Sequence, residues 1–98
     1  MSDGQRFLHI GFHNFSETNE IIKALEKVFN GASDWARYAP NCWILWTNNT
    51  PEVWFKRIEV VPELPKNFGV LIAPIDLNRE QRSGSTYDWM WKWIQKYT

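Results

Sequence analysis

The sequence predicts an α+β sandwich in which one antiparallel sheet carries both of its helices on a single face. Three observations support this. Segments of strand and helix periodicity alternate as strand, helix, strand, strand, helix, strand. The breaks between them are short and hold turn residues such as Gly31, Pro40-Asn41 and Pro62. The 98 residues suffice for one domain and not for two.

Each element follows from its local pattern. In RFLHIGFH (Arg6 to His13), Leu8, Ile10 and Phe12 alternate with Phe7, His9 and Gly11, which predicts a strand with one committed face. Asn14, Ser16 and Glu17 supply helix-start chemistry. Ile21, Ile22, Leu25, Val28 and Phe29 then recur at three- and four-residue spacings, and Gly31 ends that helix. Two strands, Asp34 to Ala39 and Asn41 to Thr47, meet at Pro40-Asn41 in a hairpin. The second is apolar on both faces, which fits the middle of a sheet. Thr50 caps a helix with Pro51 at its first position, and Val53, Trp54, Ile58 and Val61 share a face. Pro62 and Pro65 stop it. Phe68 to Asp76 is a last strand whose Pro74 marks an edge or an ending, and LNREQRSGS is a polar loop.

This order is that of a ferredoxin-like βαββαβ sandwich over residues 6–98, preceded by a flexible leader at 1–5. Its second sheet face is expected to lack cover from the chain's own helices. The tail YDWMWKWIQKYT completes the sequence. At about 100° per residue, Trp89, Met90, Trp93, Ile94 and Tyr97 share one side of a helix, which Ser85 or Thr86 can cap. Trp91 falls on the polar flank, either against a loop of its own chain or on a partner surface.

Seven Trp, six Phe and three Tyr exceed what a small core needs, and surplus rings favour an interaction surface. Trp91, Trp35, Phe7, His9 and Arg37 are the candidates for it. Eleven basic and eleven acidic residues cancel, so the composition does not indicate phosphate-backbone binding. Lys56, Arg57, Arg79 and Arg82 would form the local patch of a nucleic-acid binder. No apolar run approaches the ~20 residues of a membrane span, and the N-terminus has no signal-peptide core, so the expected compartment is the cytoplasm.

Known chemical constellations are not matched. His9 and His13 lie four strand residues apart, ~13 Å, too far to chelate one ion within a chain. Asp76 and Asp88 offer a carboxylate pair for Mg²⁺, but Asp88 also suits a first helical turn. Cys42, the single cysteine, sits in an apolar run and fits a buried, inert thiol. Gly-rich phosphate loops, C-x-x-C pairs and the metalloprotease and hydrolase signatures are missing.

Trp43 with Thr47 ahead of the second helix, Val70-Leu71-Ile72 in the last strand, and Trp89 with Trp93 in the tail form a recognisable layout. It resembles the SinR-like relatives of the small CRISPR-associated adaptation subunit. That resemblance implies a ferredoxin-like fold, a face-to-face homodimer and, in some members, divalent-metal-dependent nuclease activity with Mg or Mn. The family's first strand typically ends in an Asp. Here Phe12, His13 and Asn14 occupy that place, and a metal positioned on phosphate prefers carboxylate oxygen.

The sequence therefore favours a non-catalytic, cofactor-free homodimeric interaction module, such as a phage or mobile-element protein that binds a host or defence-system protein. The alternative is a metal-dependent nuclease or nucleic-acid binder.

Overall fold

A computed structural model describes residues 4–98 and reproduces the predicted order of elements. The strands are β1 (Arg6–His13), β2 (Asp34–Ala39), β3 (Cys42–Thr47) and β4 (Gly69–Ile75); the helices are α1 (Asn19–Phe29), α2 (Pro51–Glu59) and α3 (Asp88–Gln95). A single 3₁₀ turn, Arg79–Gln81, interrupts the polar loop before α3. The first three residues of the expected leader lie outside the described residues. Gln5, its last, donates from Nε2 to Ser33 Oγ at 2.8 Å.

The strands form one sheet in the order β2-β3-β1-β4, with every neighbouring pair antiparallel. This is the ferredoxin-like arrangement: α1 carries the chain from β1 past β3 to β2, and α2 carries it from β3 past β1 to β4. Pro74 lies inside β4, an edge strand, where its missing N–H costs no ladder bond on the open side. Caps start both longer helices. Thr50 Oγ1 accepts from Val53 N at 3.3 Å, with Pro51 following. For α1 the cap is Thr18, whose Oγ1 accepts from Ile21 N at 3.3 Å, and not the Asn14–Glu17 pair. Asn14 instead takes a left-handed conformation (φ 51°), a position its short amide tolerates, and turns the chain out of β1.

The register places Leu8, Ile10 and Phe12 beside Trp43 and Leu45 on the face that meets α1 and α2. Trp43, fully buried, packs edge-on to Phe12 at 5.7 Å between ring centroids and lies 5.3 Å from Phe29. Thr47 is the one buried polar residue among the described residues; its hydroxyl accepts from the fully buried Trp54 indole at 3.2 Å and from Asn49 N at 3.1 Å.

The expectation of an uncovered second face is corrected in part. α3 lies on that face and buries Met90, Trp93 and Ile94 against Phe7, Ala36 and Ile44. Trp46 and Tyr97 stack at 4.7 Å beside them, and the Tyr97 hydroxyl donates to Asp34 on β2. Eight residues of helix cannot span the whole face, so the cover stops at the half nearer the start of β1. The buried stripe also differs from the helical-wheel reading. Trp91 is half-buried against the second core, whereas Trp89 is left outside it. The reason is that the 77–86 loop gives the Trp91 flank a surface of its own. Tyr87 occupies the capping position of α3, with no side-chain cap bond from Ser85 or Thr86.

Candidate interaction surface

Beyond α3 the second face stays open. Period-two alternation and the register put Tyr38 of β2, Cys42 of β3, His9, Gly11 and His13 of β1, and Leu71 and Ala73 of β4 on it. None of these residues is Asp, Glu, Lys or Arg. Leu71, on the edge strand β4 opposite Gly11, is 67 % exposed. Gly69 keeps the end of the patch flat: a Cβ there would fall inside the His13 ring.

One polar pair is set into this surface. His9 Nε2 and Tyr38 Oη lie 2.5 Å apart, with ring centroids at 5.8 Å. Burial lowers the His9 pKa below its usual 6.5, so the ring is neutral at pH 7. The Tyr38 phenol is pushed up to about 12, first by burial and then by the hydrogen bond and charge of Cys42. Both partners are therefore uncharged at neutral pH. A neutral, mutually satisfied pair is cheap to cover with another protein, because no ion has to leave water.

The patch continues past Tyr38. A recess lined by Arg37, Tyr38, Ala39, Pro40 and Tyr87 joins the hairpin end of the sheet to the start of α3. There Tyr87 and Trp89 stack at 5.8 Å with planes 11° apart, and they are 61 % and 48 % exposed. Leu71, Tyr87 and Trp89 thus bracket one surface that is apolar or neutral throughout its sheet portion.

The residues singled out from sequence do not converge on it. His9 lies within it. Phe7 is buried beneath α3, and Trp91 is held by its own chain, with the Arg82 guanidinium 5.5 Å from its ring. Trp35 points to the opposite face, and Arg37 borders only the recess at the hairpin end while its guanidinium turns to the opposite face. Trp35 Nε1 donates to Asn30 Oδ1 at 2.9 Å, while Arg37 lies 5.5 Å from the Trp43 ring, donates to Pro40 O and pairs with Glu17 at 3.6 Å.

The basic residues are likewise dispersed. Lys56 pairs with Glu52 at 3.5 Å and Arg57 packs 4.8 Å from the Trp54 ring, both on α2. Arg79 is exposed on the 3₁₀ turn, and Arg82 belongs to the α3 side of the sheet. Asp76 accepts from Asn78 N at 2.9 Å, and Asp88 sits in the first turn of α3. Among the described residues, no three His, Cys, Asp or Glu side chains gather as metal ligands, and no helix is long and apolar enough to cross a membrane.

Three contributors were missed from sequence. Leu71 was legible in principle, since extending the β1 alternation across the ladder puts it on the open face. Tyr87 and Trp89 were not, because their exposure depends on where α3 meets the sheet. The chain matches no family model, and no curated protein or solved structure matches it.

Proposed function

We propose that the chain is a non-catalytic interaction module that pairs with a second copy of itself through the open half of the sheet and the Tyr87–Trp89 stack. The observation that carries this reading is a surface with exposed Leu71, Tyr87 and Trp89 and no ionic side chain on its strands. Depletion of charge with enrichment of aromatic rings is the composition of interface centres.

Size sets which residues have to take part. Three strand spacings of about 4.8 Å and four residues of about 3.4 Å give the sheet portion roughly 200 Å². A standard interface buries about 800 Å² per partner. The sheet alone is too small, so the aromatic stack has to take part. The same surface suits a different protein target. In a phage or mobile-element protein, that target is a host or defence-system protein.

Sedimentation velocity over a concentration series tests the reading. A reversible dimer is expected, reduced to monomer by Leu71→Lys and by Trp89→Lys. Both side chains are exposed, so the variants should keep wild-type stability to within about 0.5 kcal/mol. A wild-type chain that stays monomeric at about 100 μM, a limit of roughly −5.5 kcal/mol, excludes the dimer.

A further inference from the structure

A second feature lies between α3 and the Leu77–Thr86 segment, next to the open sheet, whose Tyr38 also lines it. The segment from Leu77 to Thr86 runs beside the helix and borders an open pocket of about 400 Å³. That volume falls in the lower part of the ~300–1,000 Å³ range usual for small-molecule sites. Its floor is apolar, made by Ile44, Leu77, Met90 and Ile94, with Trp91 as a wall. Its polar lining comes from Tyr38, Gln81, Ser83, Ser85 and Thr86.

One charge faces this space. Arg82 lines the cavity, half-buried, with its guanidinium 5.5 Å from the Trp91 ring. Nη1 is fixed by two neutral acceptors, Leu77 O at 2.9 Å and Thr98 Oγ1 at 3.2 Å. Nη2 and Nε make no hydrogen bond among the described residues. Nor does any carboxylate among them come within ion-pairing distance of Arg82, the pairs present being Arg37–Glu17, Lys56–Glu52 and Lys96–Asp34.

A partly desolvated cation without a counter-ion is an unfavourable arrangement that an anion relieves. A guanidinium already oriented by stacking and by two acceptors gives up little freedom when an oxyanion binds its free edge. We infer that this cavity binds a small amphiphilic monoanion, an apolar or aromatic body with one carboxylate or sulfonate-like head. The body lies on Ile44, Met90 and Ile94, and the head meets Arg82 and the lining hydroxyls. The inference is separable from self-pairing because Arg82, Ser85 and Met90 lie outside the pairing surface, although Tyr38 borders both.

The test uses the full chain with two matched fluorescent probes, 8-anilinonaphthalene-1-sulfonate and uncharged N-phenyl-1-naphthylamine. The sulfonate is expected to bind at one saturable site per chain, with energy transfer from the chain's tryptophans. Arg82→Gln should weaken the sulfonate roughly 10- to 100-fold, the value of hydrogen bonds to a charged group, and change the uncharged probe by no more than about twofold. Arg82→Lys, which keeps the charge and loses the planar fork, should fall between wild type and Arg82→Gln. It also serves if Arg82→Gln fails to fold, which circular dichroism would show. Ser85→Trp, which fills the rim, should abolish binding of both probes. The inference is overturned if Arg82→Gln or Arg82→Lys weakens both probes equally, if Ser85→Trp leaves affinity intact, or if the sulfonate binds without saturation.

Discussion

The three tail tryptophans separate sharply by burial, and replacing each by Ala tests whether α3 is part of the fold. Trp93 is 8 % exposed and packs against Phe7 and Tyr97 at 5.7 Å, whereas Trp89 is 48 % exposed and touches mainly Tyr87. Emptying a large buried aromatic site costs about 3–5 kcal/mol. Part of this is returned, because the Trp93 indole N–H is buried without an acceptor among the described residues, and losing an unsatisfied donor recovers about 1 kcal/mol. A net loss of about 3 kcal/mol is then expected for Trp93→Ala, against a total of about 5–15 for a domain of this size. In a thermal melt that is a fall of about 12–24 °C. Trp89→Ala should cost less than about 1 kcal/mol, with Trp91→Ala between the two. Urea denaturation followed by far-UV circular dichroism measures all three. If Trp89→Ala destabilises as much as Trp93→Ala, or Trp93→Ala costs under about 1 kcal/mol, then α3 does not cover the sheet and the reasoning fails.

Two further outcomes follow from buried polar groups. Thr47→Val removes the acceptor of the fully buried Trp54 indole and should cost about 1–3 kcal/mol in urea denaturation, whereas Thr47→Ser, which keeps the hydroxyl, should cost less. Alkaline stability should depend on Tyr97. Its phenol is pushed up to about 12 by burial and by the hydrogen bond and charge of Asp34, against about 10 when unfolded. Between those values the unfolded chain binds fewer protons than the folded one, so stability present below about pH 10 is lost as pH rises towards about 12. Tyr97→Phe should flatten that decline, and equal slopes for the two proteins would remove Tyr97 from the account.

Much of the architecture was legible before any coordinates. β1 and β2 have the predicted limits, and Pro51, Thr50 and the two prolines after α2 act where their chemistry places them. Helix starts were less secure. Asn14, Ser16 and Glu17 are as suitable in composition as Thr18, and the choice fell to the residue one turn ahead of Ile21 and Ile22, because those two have to reach the core. The candidate surface was legible only as a tendency. Alternation in β4 assigns Leu71 and Ala73 to one face, but it does not say whether that face is covered.

The sequence by itself determined the strands, the two crossover helices and the amphipathic tail, because periodicity and turn chemistry act over a few residues. Tertiary structure decided how that tail is used. The line along which α3 meets Phe7 and Ile44 turns Trp93 inward and Trp89 outward, leaves half the sheet open, and shapes the Arg82 pocket between the helix and the 77–86 segment. Those outcomes depend on long-range packing between the tail and the first and third strands, and a helical wheel holds no information about where its axis will lie.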